Sequence, residues 1–321
     1  MTQSIKNFCE RSVHVGVVGV GEVAKNHLLP ALVTIPGATL AGVVGHEQHH
    51  AVAVAKEFGT RAYLSIDTMI ADPQVDALII ATPDALHAPM AIAAMQAGKH
   101  VFVEKPMATT VKDAEDMIVA AAKYGVKLAV GYHLRFHAGH KAVRALVDRG
   151  EIGVPRKMQI VWTYSAPETD WRKNGPQGRW WALAAIGTHA IDLAAFLLGC
   201  EISQIRSMVI ADPAHPGERE HTATVLLECT GGLQAEIFVS NRVSLPRTVT
   251  IEGSTGTITC VDTLAARGAG KITMSGRHVP FVPVDPYREE LTDWIEAIRH
   301  DREPSVNGDI GFENVVLLNL L

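Results

Sequence analysis

Residues 13–24 read VHVGVVGVGEVA, an apolar run that ends in closely spaced glycines and continues into a helix-compatible sequence. This stretch predicts a buried strand over 13–18 and a helix over 22–34. A strand that ends in glycines lets the backbone turn sharply and approach a pyrophosphate, whose charge then lies at the positive end of the helix. Glycines also serve ordinary turns, but the strand before them and the helix after them favour a dinucleotide site. The residues of this site would be Gly19, Gly21, Val23 and Ala24.

The alternation of strand and helix continues through the first 130 residues. Further strands are predicted between helical segments at 39–44, 61–64, 75–81, 100–103 and 127–131. Alternating units of this kind form a parallel sheet with helices on both faces. Residues 1–130 are therefore predicted to form a dinucleotide-binding Rossmann domain with a doubly wound parallel sheet.

After residue 130 the pattern changes. Predicted strands follow one another between residues 202 and 260, with Gly231-Gly232 and the segment 253–256 as hairpin turns. Consecutive strands joined by tight turns form an antiparallel sheet. Residues 131–321 are therefore predicted to form an α+β domain, to which substrate binding and contacts between subunits are assigned as expectations.

The composition excludes several classes of protein. The 321 residues are 47% hydrophobic and 20% charged, with a formal net charge of -5. This charge gives no broad basic surface, which argues against nucleic acid or an anionic membrane as the main partner. No stretch is long and apolar enough to span a bilayer, and the N-terminus lacks the features of a signal peptide. The four cysteines form no Cys-x-x-Cys pair and are predicted to be reduced. Taken together, the charge, the hydropathy and the cysteines predict a cytoplasmic protein whose partner is a small molecule.

A lysine follows the predicted strand at 100–103, in the segment Glu104-Lys105-Pro106. Open α/β sheets bind their ligands at the carboxyl ends of the strands. A lysine in that place can donate or accept a proton if its surroundings favour the neutral amine. From the residues alone, a solvated loop lysine paired with Glu104 is the alternative interpretation.

Several motifs occur together in the order and spacing of one family. They are the glycine motif, Thr82-Pro83-Asp84-x-x-His87, Glu104-Lys105-Pro106, the Arg135 segment, Gly150-x-x-Gly153 and Gly187-x-His189-x-x-Asp192. Over nearly its whole length the chain resembles the glucose–fructose oxidoreductase and inositol dehydrogenase family, Gfo/Idh/MocA. The resemblance implies a Rossmann domain, a second domain with a large open antiparallel sheet, a bound nicotinamide cofactor and a site between the domains. Family substrates are mostly sugars, polyols and their derivatives.

The resemblance also implies roles for individual residues. Lys105 matches the catalytic lysine, which helps to move the proton of the reacting hydroxyl, and the Lys105–Pro106 bond is expected to be cis. His189 matches the active-site histidine, which Asp192 could orient from three residues later. Matches to cofactor-binding positions are Thr82, Pro83, His87, Glu104, Lys105 and Arg172, and matches to substrate-binding positions are Lys105, Arg135, His189 and Asp192. For Arg135 and the pair Trp171-Arg172, packing is an equally open interpretation.

One departure from the family pattern concerns Ala185. Family dehydrogenases commonly have an aspartate four residues before the active-site histidine, and this chain has Ala185 there. Three explanations compete: another acid replaces the aspartate, the substrate needs less assistance, or the protein has lost catalysis and only binds. General acid–base assistance contributes roughly 10²–10⁴ in rate, so one missing group weakens turnover without abolishing it.

Cofactor choice depends on the end of the second strand, which reads Val43-Val44-Gly45-His46-Glu47. NAD enzymes typically have Asp or Glu there, which accepts from the ribose 2′-hydroxyl. The acidic position in this chain is Gly45, so a 2′-phosphate could be accepted, with His46 as a contact. The sequence favours NADP(H) over NAD(H), and Glu47 in the ribose position is the counter-interpretation.

The histidines raise the hypothesis of a metal site. His133, His137 and His140 could converge with His189, since neutral imidazoles bind zinc well. However, no cysteine or carboxylate lies at a ligand spacing, and the resemblance implies a metal-free site. We therefore expect no metal.

The function predicted from the residues and the resemblance is that of an NAD(P)-dependent dehydrogenase or reductase acting on CH-OH groups. Hydride would pass between the nicotinamide and a secondary alcohol or carbonyl of a sugar, polyol or related molecule, with Lys105 and His189 as proton relay. One alternative is a catalytically weakened NAD(P)-binding sensor or regulator, which Ala185 motivates. Another is a reductase of a non-sugar carbonyl or imine, since Trp180-Trp181 could line a less polar pocket. An open sheet face needs covering, so a homodimer or homotetramer is expected.

Overall fold

The structure is a computed structural model that describes residues 12–167, 180–210 and 219–321. The chain divides into two compact units. The first contains Met1–Gly131 and Tyr287–Val315, and the second contains Tyr132–Pro286 and Val316–Leu321. The chain after Gly131 thus contributes to both units, whereas the sequence pattern assigned all of it to the second.

The first unit is built on a five-stranded parallel sheet in the order β2-β1-β3-β4-β5. Its strands are β1 (Val13–Val18), β2 (Ala38–Val44), β3 (Ala77–Ile80), β4 (His100–Glu104) and β5 (Leu128–Gly131). This order confirms the doubly wound fold. Because β1 lies between β2 and β3, the strand order reverses there, and such a reversal is where open α/β sheets bind ligands.

Helices connect the strands of this sheet. They are α1 (Leu29–Leu32), which continues a π-helical turn at Ala24–Leu28, α2 (Gln48–Glu57), α3 (Ile66–Ile70), α4 (His87–Gln96) and α5 (Val111–Tyr124). Helix α5 shows how local sequence sets the bounds. Thr110 caps its start by accepting a hydrogen bond from the N–H of Asp113, and Gly125 ends it with a left-handed φ of 64°.

The strand predicted at residues 61–64 is wrong. Only Ala62 pairs with the sheet, through a single bridge to Val43. The side chain of Ser65 already caps α3 by accepting from the N–H of Thr68, so the helix begins before a strand can extend.

The second unit is built on an eight-stranded sheet in the order β13-β12-β11-β10-β6-β9-β8-β7. Its strands are β6 (Pro155–Thr163), β7 (Ile202–Ile210), β8 (Thr222–Cys229), β9 (Gln234–Ser240), β10 (Thr248–Gly253), β11 (Thr257–Val261), β12 (Lys271–Met274) and β13 (Arg277–His278). All neighbouring strands are antiparallel except β6 and β9, which are parallel, so the sheet is mixed. The hairpins predicted at Gly231-Gly232 and at 253–256 are confirmed, since they join β8 to β9 and β10 to β11.

One face of this sheet is covered by helices, whereas most described side chains of the other face are partly or fully exposed. The covering helices are α6 (Ala138–Asp148) and α7 (Thr188–Leu198), which continues a π-helical turn at Leu183–Gly187. Side chains that alternate along the central strands, such as Ile160 and Ile237, join Ile191 of α7 in one apolar core. The core therefore holds α7 against the middle of the sheet.

The prediction that all four cysteines are reduced is wrong for two of them. A disulfide joins Cys200 and Cys229, whose Cα atoms are 5.9 Å apart. The reason is strand pairing, because Ile202 at the start of β7 lies opposite Cys229 at the end of β8. Cys260 is free and buried.

The last two helices are α8 (Pro286–Arg299) and α9 (Gly308–Leu320). Helix α8 brings Trp294 into the first unit, where the fully buried indole lies 5.7 Å from the ring of Phe102 on β4. The C-terminal chain therefore completes the core beside the parallel sheet.

Within the three described ranges, no helix combines the length and the apolar character needed to cross a membrane.

Candidate active site

The glycine turn after β1 is shaped by backbone contacts at Gly19. Its φ is +93°, and a Cβ there would lie 2.4 Å from the carbonyl oxygen of Ala81, at the end of β3. The N–H of Gly19 donates to the carbonyl of Val44 at the end of β2, at 2.8 Å. Only glycine fits a position held this closely between three strand ends.

Gly21 is a glycine for a different reason. A Cβ at Gly21 would meet no atom of the described residues within 4 Å, so this part of the fold does not require the absence of a side chain. The carbonyl of Gly21 accepts from the N–H of Lys25 at 2.9 Å, which marks the start of the helix that continues into α1. The first N–H groups of a helix have no intrahelical acceptor and attract anions. The open space beside an exposed helix start fits the diphosphate of a dinucleotide.

The end of β2 explains the missing acidic residue. A Cβ at Gly45 would lie 2.7 Å from Cγ2 of Val20 and 3.2 Å from Cβ of Ala51, so this position is closed to a carboxylate by packing. The next residues, His46 and Glu47, are exposed. His46 and Glu47 are therefore the side chains closest in sequence to Gly45 that could distinguish NAD from NADP.

Lys105 lies directly after β4 and is buried. Only 9% of its surface is exposed, which excludes the solvated-lysine interpretation. Its N–H donates to the carboxylate of Glu104 at 3.2 Å, and the Lys105–Pro106 peptide is cis, as the resemblance implies. The side chain thus starts from a fixed backbone at the carboxyl edge of the sheet.

His87 joins two segments of the same edge. Its Nδ1 lies 2.8 Å from the carbonyl oxygen of Pro106, and its Nε2 lies 2.8 Å from the carbonyl oxygen of Thr82. The residue is 1% exposed. Of the predicted cofactor-side residues, the structure therefore brings His87, Thr82 and the segment after Lys105 together.

His189 of the second unit lies among three aromatic side chains. Its ring is edge-on to Tyr132 and His133, with centroid distances of 5.8 and 4.7 Å, and it stacks on Trp162 at 5.7 Å. Tyr132 Oη and Thr188 Oγ1 are 2.7 Å apart, which ties Tyr132 to the start of α7. These contacts fix the orientation of the imidazole. Sequence reasoning missed them, although the alternation along β6 places Trp162 on the buried face.

Arg135 and Asp192 bind each other. The guanidinium donates through Nε and Nη2 to both carboxylate oxygens, at 2.8 to 3.0 Å, and Asp192 is fully buried. The Arg135 guanidinium also lies over the ring of Phe196, 5.4 Å from its centroid. The pair holds α7 in place one turn after His189. The contact of Arg135 and Asp192 with substrate stays a prediction.

The other histidines of the metal hypothesis are held by protein groups. His137 Nδ1 accepts from the N–H of Gly139 at 3.0 Å, and its Nε2 donates to the carbonyl of Ala269. His140 Nδ1 donates to the carbonyl of Leu134, and its Nε2 lies 3.0 Å from the hydroxyl of Thr263. Burial lowers the pKa of His140 to about 3. Across the described ranges, no three His, Cys, Asp or Glu side chains are grouped to hold a metal ion.

The helix that carries Ala185 and His189 begins at a buried acid, Glu220. Its carboxylate accepts from the N–H of Trp181 at 2.8 and 3.0 Å and from the N–H of Leu183 at 2.7 Å. Among the described residues of the second unit, the buried carboxylates are Asp192 and Glu220. The first binds Arg135 and the second caps the helix, so neither is placed as a copy of the family aspartate.

Glu220 gives the protein a predicted pH dependence of stability. Burial raises the pKa of Glu220 from 4.5 to about 7, against the opposing effect of the backbone N–H groups. The folded protein therefore holds this proton more tightly than the unfolded chain does. Its contribution to stability is complete below about pH 4.5 and is lost as the pH rises to about 7, by about 3 kcal/mol.

Urea unfolding of wild type and Glu220→Gln across this pH window measures the contribution. We expect the difference in unfolding free energy between them to change by about 3 kcal/mol. Buried histidines such as His140 act with the opposite sign, but both proteins carry them and the comparison removes their effect. The exposed Glu252→Gln serves as the matched control, and a pH-independent difference for Glu220→Gln would contradict the prediction.

One predicted cofactor contact, Arg172, lies outside the described residues.

Comparison with known proteins identifies families for both parts of the chain. Residues 13–132 match the oxidoreductase family with an NAD-binding Rossmann fold, and residues 140–259 match the GFO/IDH/MocA C-terminal domain. A 1,5-anhydro-D-fructose reductase of Ensifer adhaerens is 26% identical, with 92% of this chain and 91% of the relative aligned. A dTDP-3,4-didehydro-2,6-dideoxy-alpha-D-glucose 3-reductase of Streptomyces violaceoruber is 31% identical, over 78% of this chain and 72% of the relative.

Solved structures agree with the sequence matches. The crystal structure of aldose-aldose oxidoreductase from Caulobacter crescentus, complexed with glycerol, is 27% identical and superimposes with a TM-score of 0.89. The match covers 96% of each chain. With its glycine cradle, its buried lysine after β4 and its two matched domains, the chain belongs to the Gfo/Idh/MocA family of NAD(P)-binding oxidoreductases.

Proposed function

We propose that this protein transfers hydride between a nicotinamide cofactor and a secondary alcohol or carbonyl of a sugar, polyol or closely related molecule. The observation that carries the proposal is the open space at Gly21 beside an exposed helix start, at the reversal point of the sheet. The relatives named above are reductases and oxidoreductases of sugars, which supports this substrate class. The fit of Gly19, Gly21 and Ala24 to a dinucleotide supports the cofactor.

The proposed roles rest on the family match of each residue and are supported by the burial and contacts of its side chain. When bound, the nicotinamide gives or receives the hydride. Lys105, buried after β4, takes up or returns the proton of the reacting hydroxyl. His189, held in one orientation by its aromatic neighbours, is the second proton-handling group.

NADP(H) is proposed as the preferred cofactor. Packing closes Gly45 to a carboxylate, and His46 is exposed in the following segment, where an imidazole can meet a 2′-phosphate. Titration with NADPH and NADH, followed by nicotinamide fluorescence, is expected to show at least about tenfold tighter binding of NADPH, or about 1.4 kcal/mol. His46→Ala should reduce this preference.

Glu47 is the residue that would instead favour NAD(H). The carboxylate of Glu47 is exposed and lies 3.3 Å from the ring of His49. From this exposed segment it could accept a hydrogen bond from the ribose hydroxyl of NAD. Tighter binding of NADH that is lost in Glu47→Gln would contradict the NADP proposal. Failure of the wild type to bind either cofactor would contradict the proposed function itself.

A sensor or regulator is the second candidate, and Ala185 is the observation that favours it. Among the described residues of the second unit, the buried acids Asp192 and Glu220 bind Arg135 and the helix start, so neither replaces the family aspartate. Turnover on any member of a panel of polyols, aldoses and their keto forms supports the enzyme. Tight cofactor binding with no turnover across the panel supports the sensor.

We also propose that the exposed face of the eight-stranded sheet joins copies of this chain. Met208 on β7 and Leu226 on β8 are 70% and 54% exposed, and exposed apolar side chains on one sheet face are typical of an interface. Light scattering should give a mass of two or four times 34.6 kDa, and Met208→Asp with Leu226→Asp should lower it. A monomeric wild type would contradict this proposal. A cytoplasmic location stays a prediction, which cell fractionation measures.

A further inference from the structure

The two ring nitrogens of His87 both face backbone carbonyl oxygens. Nδ1 lies 2.8 Å from Pro106 O, and Nε2 lies 2.8 Å from Thr82 O. A carbonyl oxygen can only accept a hydrogen bond, and a neutral imidazole has a single N–H to donate. Both contacts can be hydrogen bonds only if both nitrogens carry a hydrogen, which makes the ring an imidazolium.

Two other buried histidines show what a neutral ring looks like in this protein. His137 Nδ1 faces the N–H of Gly139, so that nitrogen accepts while Nε2 donates to Ala269 O. His140 donates from Nδ1 to Leu134 O, and its Nε2 faces the Thr263 hydroxyl, which can donate. Each has one donor and one acceptor nitrogen, as a neutral imidazole requires. At His87, by contrast, both of these short contacts are with carbonyl oxygens.

Turning the His87 ring over does not remove the requirement. The flipped ring would place carbon atoms where the nitrogens now lie, at about the same 2.8 Å from the carbonyl oxygens. C–H···O contacts are found at about 3.3–3.6 Å, so the flipped ring would be too close on both sides. The observed orientation is the one that fits.

We propose that His87 is a charged imidazolium that ties the Thr82 turn to the segment after Lys105, and that it is thereby a positioning residue for Lys105. One hydrogen bond holds the turn after β3 and the other holds the residue next to Lys105. A single rigid ring therefore sets the distance between two segments at the carboxyl edge of the sheet. The charge and the tie follow from this structure alone, whereas the consequence for catalysis rests on the proposed function.

The charges around His87 act in both directions. His87 is the first residue of α4, and the positive end of that helix opposes a cation. Asp84, whose side chain is buried, lies three residues earlier in the same turn. Glu104 and Lys105, also buried, lie at the end of β4. The two carbonyl oxygens, each 2.8 Å from a ring nitrogen, favour the cation.

Nitrogen NMR of the protein labelled with ¹⁵N-histidine tests the charge directly. We expect both nitrogens of His87 to carry protons at neutral pH, and also at a pH about two units above the ordinary histidine pKa of about 6.5. His137 and His140 should each show one protonated and one unprotonated nitrogen in the same spectra. The His87→Gln variant identifies the signals. A single neutral tautomer at His87 would overturn the proposal. The experiment needs no cofactor or substrate, so its result is independent of the proposed function.

Hydrogen exchange and kinetics test whether His87 holds the Thr82 turn and the segment after Lys105 together. In His87→Gln, the backbone amides of Lys105 and Met107 should exchange about tenfold faster or more. Turnover should fall by about 10²-fold, with the substrate KM changed by less than about threefold, as for a misplaced reactive group. His140→Gln is the matched control, since it also removes a buried histidine but leaves this edge untouched. Unchanged exchange at Lys105 and Met107, or a loss that appears in KM and not in kcat, would overturn the positioning role.

Discussion

Replacing Lys105 with alanine is expected to lower turnover by about 10²–10⁴-fold, the usual contribution of general acid–base assistance. Cofactor affinity should change little, because the space proposed for the diphosphate lies beside Gly21, after β1, whereas Lys105 follows β4. Steady-state rates with the best substrate of the panel, together with NADPH titration, separate the two effects. Lys105→Met keeps the length of the side chain without its amine and should lose as much activity as Lys105→Ala.

Controls exclude a general effect of removing a lysine. Lys112→Ala removes an exposed lysine at the start of α5 that pairs with Asp116, and it should leave turnover unchanged. Near-normal turnover of both Lys105 variants would remove this residue from the mechanism.

Gly21→Ala is expected to abolish tight cofactor binding without weakening the fold. A methyl group at Gly21 meets no atom of the described residues within 4 Å, so the free energy of unfolding should stay within about 0.5 kcal/mol of wild type. The same methyl group would occupy the space proposed for the diphosphate and should weaken NADPH binding by about 10²-fold, or about 2.7 kcal/mol. Fluorescence titration and urea unfolding measure the two quantities on one preparation.

Gly19→Ala provides the contrast. Its φ of +93° and the 2.4 Å approach to Ala81 O mean that an added methyl strains the fold itself, by about 1–3 kcal/mol. This variant should therefore lose stability as well as cofactor. If Gly21→Ala bound NADPH as tightly as wild type, the diphosphate would not lie where we propose.

The parts of the fold that depend on local patterns could be predicted from sequence. The parallel sheet follows from apolar strands that alternate with helices, and the glycine turn follows from the spacing of Gly19 and Gly21. The strand at 61–64 was wrong because its composition resembles that of a strand, while the capping of α3 by Ser65 ends the extended segment early. Strand character depends on the partner that is present as much as on the residues themselves.

Long-range contacts could not be predicted in the same way. Lys105 and His189 could be named because the family motifs contain them, but no local pattern places Tyr132, His133 and Trp162 around His189. The disulfide was missed for a similar reason, since it depends on the pairing of β7 with β8. The second contact of His87, with Pro106 O, is equally a product of the folded sheet.

The return of α8 to the first unit has a consequence for synthesis on the ribosome. Phe102 on β4 is made early, but its buried partner Trp294 emerges almost two hundred residues later. The nascent nucleotide-binding domain must therefore keep an apolar surface uncovered while the whole eight-stranded unit is translated. Such a surface is prone to aggregation, and this one stays uncovered until residue 294 has left the exit tunnel.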